Sequence, residues 1–484
     1  MKSFYKVSKI KITLCILFFS MSISGCKKFV EVPAPITSTN AANVYTSDLT
    51  AAAVLTGIYT NISFQDGNSY ADITSLSSFA ALSADELTLY EQTNTTYLPF
   101  YINNITSLTS TGVFWTIFYP YIFIANSAIE GLNNSTGLTP AVKQQLLGEA
   151  RFVRAFCYFY LVNLYGDIPL VVSSNYKKNS LLIRTPASLV YQQIITDLID
   201  AKNLLSTNYL QSDALTPYPI SSAQRVRPTK WAAAALLARA YLFIGDYPDA
   251  ESMADSVIMN GSLYSLGRLN TAFLENSSET IWSLQPTGTG AQSNTGDGAL
   301  FVLPSTGPGG MHTVYLSNSV VNSFELNDQR RTNWVDSVIA GGITYYYAYK
   351  YKIGAVDATT QEYIMVLRLA EQYLIRAEAR AQQNKIGGAQ ADLDTIRARA
   401  GLSITEANEK TSLLTAILHE RQVELFTEWG HRWIDLKRTN KINEIMTIVT
   451  PTKGGSWSSF KSLYPVPQSE INFDPNLKQN NGYP

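Results

Sequence analysis

Glu420-Arg-Gln-Val-Glu-Leu-Phe-Thr-Glu-Trp-Gly-His-Arg-Trp-Ile-Asp-Leu-Lys-Arg438 makes up most of a helical pattern that runs from Leu413 to Lys437. Glu420 and Glu424, and then Glu424 and Glu428, stand four residues apart. On a helix each pair shares a face, and like charges at that spacing repel unless cations meet them. Arg421, Arg432 and Arg438 are at hand as counter-charges. Two carboxylates on one face could also form an acid/base pair. The favoured reading is structural: a charged network that fixes the C-terminal helix against its neighbours.

Working back from this stretch, helical periodicity is predicted for Met365–Gln383 and Gly388–Arg399, and further upstream for Pro140–Tyr165, Ser188–Leu205, Lys230–Phe243 and Tyr247–Met259. In the second of the upstream four, Val190, Ile194, Leu198 and Ala201 recur at spacings of three and four. Ala238 and Ala250 are twelve apart across the Gly245-Asp246 turn, and Ala377 and Ala389 repeat the spacing across Gly387-Gly388. Small residues at such points let paired helices approach closely, as in tetratricopeptide-like hairpins. Shorter helical patterns cover Leu49–Tyr59 and Gly112–Leu132.

Residues 261–364 differ. Gly, Ser, Thr, Asn and aromatics dominate, with β-prone pieces at Thr280–Leu284 and Gly342–Lys352 among long loops. Phe301, Tyr315, Trp334 and the run Tyr345-Tyr346-Tyr347 favour an ordered binding surface there over a disordered insert. The fold expected is mostly α, with tetratricopeptide-like hairpins packed against an irregular, loop-rich region holding a few short strands.

The first 25 residues read as a targeting segment. Lys2, Lys6, Lys9 and Lys11 precede the apolar run Ile12–Ile23, which is shorter than the roughly 20 residues a spanning helix needs. It ends in Ile23-Ser24-Gly25-Cys26, which resembles the lipobox of bacterial lipoproteins and makes Cys26 the expected site of lipidation. Cys157 is then the single thiol of the mature chain, so no intramolecular disulfide is expected, and its apolar surroundings predict a buried, inert side chain.

The formal charge of −1 includes the four leader lysines, and without them it is −5. The chain has no basic block of the kind that binds nucleic acid. Its three histidines, His312, His419 and His431, form no zinc motif, and no nucleophile elbow occurs. Glycosidase carboxylates are often far apart in sequence, which keeps Asp85 or Glu86 with Glu325 or Asp328 in view. No catalytic residue, metal or cofactor is expected.

The quoted stretch resembles the C-terminal signature of the SusD/RagB nutrient-binding lipoproteins of outer membranes. So do Leu463-Tyr-Pro-Val-Pro-Gln-Ser-Glu-Ile471 and Asn476-Leu-Lys-Gln-Asn-Asn-Gly-Tyr483, with Arg376-Ala-Glu-Ala-Arg-Ala381, Asn163-Leu-Tyr-Gly-Asp-Ile-Pro-Leu170 and Cys26-Lys-Lys-Phe-Val-Glu-Val-Pro-Ala-Pro35. Trp429 departs from the pattern, standing where the family usually has a small residue. The resemblance implies four helix hairpins beside a loop-rich ligand face. It also implies a lipid-anchored body on the cell-surface side of the outer membrane, and a SusC-like TonB-dependent transporter as partner. The expected division is a signal peptide (1–25), a lipidated tether (26–40), an N-terminal helical part with ligand loops (41–260) and a C-terminal part (261–484) of the same body.

The function expected is non-catalytic capture of an oligosaccharide, or a peptide, for delivery to that transporter. The alternatives are a surface glycoside hydrolase and a helical-repeat scaffold of envelope assembly. For the ligand site, Tyr90, Tyr97 and Tyr101 are expected from the N-terminal loop, with Tyr315 and Trp334 from the later irregular region. Their rings would stack on the ligand, while Asp85, Asn94 or Asn103 would hydrogen-bond it.

Overall fold

The computed structural model describes residues 44–63, 75–109, 113–286, 288–290 and 293–484. The expected leader and Cys26 lie outside the described residues. Helix α1 (Asp48–Ser63) is followed by α2 (Leu76–Ser83). A succession then begins with α3 (Val113–Asn134), α4 (Pro140–Tyr165), α5 (Ala187–Leu204), α6 (Lys230–Ile244) and α7 (Tyr247–Ile258). After the irregular region it resumes with α8 (Leu369–Gln382), α9 (Ile386–Arg399) and α10 (Lys410–Glu424), and α11 (His431–Arg438) and α12 (Ile442–Thr452) follow.

From α3 to α9 each helix packs on the next, with α10 returning onto α8 and α9, so the chain builds a stack of helix pairs. The α6–α7 pair shows why the sequence turns where it does. Thr229 accepts hydrogen bonds from the first N–H groups of α6 through its hydroxyl, Gly245 ends α6 at φ +79°, and the Asp246 carboxylate caps α7. The predicted small contacts are all buried: Ala238, Ala250, Ala377 and Ala389 are fully enclosed between helices. Cys157 is buried too, and burial pushes its thiol well above the ordinary value.

Two features depart from the expected helices. Residues 364–368 form a strand, not the first turn of α8: this strand, β6 (Ile364–Arg368), pairs antiparallel with β2 (Thr280–Leu284), and both are wholly buried. A run buried on all sides carries no periodicity to distinguish strand from helix. For the same reason α2 was not legible, since all eight of its residues are buried. Among the other strands, β1 (Leu87–Leu89) pairs with β3 (Val314–Leu316), β4 (Val335–Ala340) and β5 (Ile343–Ala348) form a hairpin closed by Gly341-Gly342 at φ +60° and +80°, and the two-residue pieces Ile168–Pro169 and Arg184–Thr185 pair antiparallel.

The 413–437 stretch is two helices, not one. The chain leaves α10 at Glu424, takes positive φ at Thr427, Trp429 and Gly430, and restarts at His431. The Trp429 indole N–H donates to the Met365 carbonyl at 2.7 Å, holding the turn against β6. The expected counter-charges are corrected as well. Glu424 meets Arg330, Arg368 and Arg399, Glu420 meets Arg330, and Glu428 meets Lys350 and Arg368. Arg421 instead pairs with Asp435, Arg438 with Glu378 and Asp435, and Arg432 with Asp85. Burial raises the Glu424 carboxyl, but Arg399, Arg368 and Arg330 outweigh it and hold the group far below the usual range. A carboxylate so held is a fixed anion that joins segments distant in sequence, which agrees with the structural reading of the network.

Candidate ligand-binding surface

Strands β1 and β3 set Thr88 opposite Tyr315. Leu87, Leu89, Val314 and Leu316 point inward and are buried, so the two-residue period of the strands turns Thr88 and Tyr315 outward together. Tyr90 extends the pairing, donating its backbone N–H to the Thr313 carbonyl at 2.8 Å, and its side chain is 44% exposed. Tyr345 of β5 stands between the two tyrosines. Its ring centroid is 5.1 Å from that of Tyr315 and 5.8 Å from that of Tyr90, and both contacts are nearly perpendicular, at 83° and 84°. Tyr101 approaches from the other side, its phenol and that of Tyr315 both lying near Thr88. Burial raises both phenols above their ordinary value, so at neutral pH they remain protonated.

Tyr90 and Tyr315 are thus brought together at the surface, whereas Tyr101 is buried with the Lys453 ammonium over its ring, and two residues not expected at the site complete the cluster. Thr88 lies beside the phenols of Tyr101 and Tyr315, and the buried Tyr345 supports the rings of Tyr90 and Tyr315. The second was readable in principle: alternate residues of a strand share a face, so Tyr345 and Tyr347 had to lie on the same side of the hairpin. Tyr347 continues the row, its hydroxyl donating to Asp336 at 3.1 Å. Perpendicular tyrosines present flat apolar faces beside polar tips, an arrangement that stacks on rings with C–H faces and hydrogen-bonds hydroxyls.

The other expected residues are placed elsewhere. Trp334 is fully buried, donates its indole N–H to the Leu269 carbonyl at 2.9 Å and lies beneath Lys350, Arg368 and Arg399. It is a packing element of the charged core and offers no face to a ligand. Tyr97 is buried and stacked on Phe79 at 5.0 Å. Asp85 is buried in a two-point ion pair with Arg432. Asn94 caps the turn at Thr96 and Tyr97, and Asn103 is spent on Ser83 and Thr450. In each case a local or core partner took the polar group that the sequence left unassigned.

The carboxylates kept in view for hydrolysis are also engaged. Glu86 is buried and accepts the Thr427 N–H; burial and the neighbouring Asp85 push its carboxyl up to about 8. Asp328 is buried against Arg330, and Glu325 pairs with Arg397. Among the described residues no group of three or more His, Cys, Asp or Glu side chains is arranged to hold a metal ion. A broad cleft of about 870 Å³ near Arg397, Thr405, Glu409 and His419 is lined without Tyr, Trp or Phe and lies apart from the tyrosines.

Two family models match the chain, "Starch-binding associating with outer membrane" over residues 29–242 and "SusD family" over residues 339–483. The chain is 28% identical to "SusD-like protein P2" of Formosa agariphila, covering 99% of this chain and all of that one. It is 24% identical to "Starch-binding protein SusD" of Bacteroides thetaiotaomicron, over 73% of this chain and 75% of that one. The fold matches a SusD superfamily crystal structure from Bacteroides vulgatus with a TM-score of 0.77 at 19% identity, over 90% of this chain and 99% of the other. It matches a "Laminarin binding SusD-like protein" with a TM-score of 0.70 at 23% identity, over 90% and 98%. The chain belongs to the SusD family.

Proposed function

We propose that this chain is a non-catalytic glycan-capture protein, lipid-anchored through Cys26 on the external face of the outer membrane, which passes its ligand to a SusC-like TonB-dependent transporter. The observation that carries the reading is the pair of outward tyrosines, Tyr90 exposed and Tyr315 half-buried, each set nearly perpendicular against the buried Tyr345. Ring faces of that kind suit pyranose C–H surfaces, and the protonated phenols suit hydroxyl oxygens. Relatives named for binding starch and laminarin support carbohydrate over peptide as the ligand class. The engagement of Asp85, Glu86, Glu325 and Asp328 by protein partners supports capture over hydrolysis.

Calorimetric titration against neutral glycans and peptides, with a long incubation assayed for released sugar, tests the reading. Binding of a glycan without product release is expected. Product release would favour the hydrolase, and binding confined to proteins would favour a scaffold. A Cys26→Ala variant is expected to keep its glycan affinity and lose uptake.

A further inference from the structure

The segment Val172–Ile183 carries Tyr176, Leu181 and Ile183 at 70%, 69% and 66% exposure, with Val172 about half exposed. Phe123 adds to them from α3. It lies on the stripe between Tyr119, whose hydroxyl donates to the Pro169 carbonyl, and Asn126, whose amide donates to the Val171 carbonyl. Tyr176 sits on a single helical turn, Tyr176–Asn179, with Lys177 and Lys178, both exposed. Neither ammonium group is in an ion pair among the described residues, and Arg184 is spent on backbone carbonyls and Asn480. Glu130, the acid beside the segment, is bonded to Ser174. From Ile168 to Thr196 the chain has three basic residues and no acidic one.

The position of this surface narrows its occupant. The described chain begins at Val44, and Tyr45 lies against Gly131, one residue from the Glu130 that holds Ser174. Tyr45 also accepts the Ser135 hydroxyl through its carbonyl, and Asp48 accepts the Thr139 N–H. The first described residues therefore lie beside the Val172–Ile183 surface. Even fully extended, residues 27–43 reach no more than about 60 Å. An aromatic ring, two branched aliphatic side chains and paired lysines in one place match the chemistry of a membrane interface with anionic headgroups.

We infer that the Val172–Ile183 surface, flanked by Phe123, rests on a lipid surface bearing anionic phosphate headgroups and orients the anchored body on it. This rests on the Cys26 anchor proposed above. The test uses the acylated full-length mature chain in vesicles of phosphatidylethanolamine and phosphatidylglycerol, with no transporter present. A fluorophore is placed at Ser180→Cys or, as control, at Asn408→Cys in the loop before α10, at the far end of the helix stack; Cys157 is buried and unreactive. Headgroup-level nitroxide lipids are expected to quench the label at 180 several-fold more than the label at 408. Lys177→Glu with Lys178→Glu, both exposed positions, is expected to bring the two to the same level. Equal quenching at 180 and 408 in protein that floats with the vesicles overturns the inference and leaves the anchor standing. Protein that does not float overturns the anchor, and the inference with it.

Discussion

The Asp85 carboxylate accepts two hydrogen bonds from the Arg432 guanidinium, each at 2.8 Å, joining the segment that leads into β1 to the first turn of α11. Both groups are buried, and Arg432 holds the Asp85 carboxyl below its ordinary range despite the opposing effect of burial. The signature helix thereby sets the height of the strand that carries Thr88 and leads into Tyr90.

Removing one member of such a pair leaves a buried charge with no partner, at a cost of about 3–5 kcal/mol. Arg432→Met is therefore expected to lower stability in chemical denaturation by about that amount. Adding Asp85→Asn to it should recover part of the loss, because the two residues act as one unit. Strict additivity of the two variants would count against the pair as the brace of β1.

Glu86 makes a pH-dependent prediction. Its carboxyl is raised from 4.5 in the unfolded chain to about 8 in the fold, first by burial and then by Asp85. The folded state binds the extra proton between those values, so the group's contribution to stability is full below 4.5 and is lost as pH rises towards 8. Glu86→Gln keeps an oxygen for the Thr427 N–H and cannot ionise. The unfolding free energy of the variant in chemical denaturation is expected to match wild type near the lower limit and to exceed it progressively through neutral pH, the difference reaching a few kcal/mol, on the order of 1.4 per pH unit. A constant offset at every pH would refute the assignment.

Trp334 and Tyr315 should separate packing from binding. Trp334→Ala removes a fully buried ring and its hydrogen bond to Leu269, and should cost about 3–5 kcal/mol of stability. Tyr315→Ala should change stability by far less and weaken glycan binding about tenfold, or ~1.4 kcal/mol. Paired denaturation and titration curves decide the matter.

Gly430 links α10 to α11 at φ +69°, and a Cβ there would lie 2.8 Å from the Ala80 Cβ. Gly430→Ala is expected to destabilise by about 1–3 kcal/mol, from backbone strain together with the clash against α2. A melting temperature within error of wild type would show that the turn relaxes.

The helix pairs were legible from apolar spacing where one face is buried, as in α5, and from the stop and start signals around α6 and α7 at Thr229, Gly245 and Asp246. The break after Glu424 was not, because it depends on Trp429 and Thr427 finding distant partners in Met365 and Glu86. The site was half legible for a related reason. Tyr90 and Tyr315 lie on segments whose exposure follows from strand alternation, whereas Trp334 and Asp85 are decided by Leu269 and Arg432, far away in the chain. Residue type singled out the tyrosines; only tertiary partners determine which of them face outward.

In the proposed function, the cluster around Tyr345 takes hold of a glycan. Its most direct test is calorimetric titration of the full chain and of a Tyr90→Ala/Tyr315→Ala variant with the glycan that wild type binds best. The variant, with its melting temperature close to wild type, is expected to lose most or all measurable binding. Affinity equal to wild type in a folded variant would contradict it and place the ligand elsewhere on the protein.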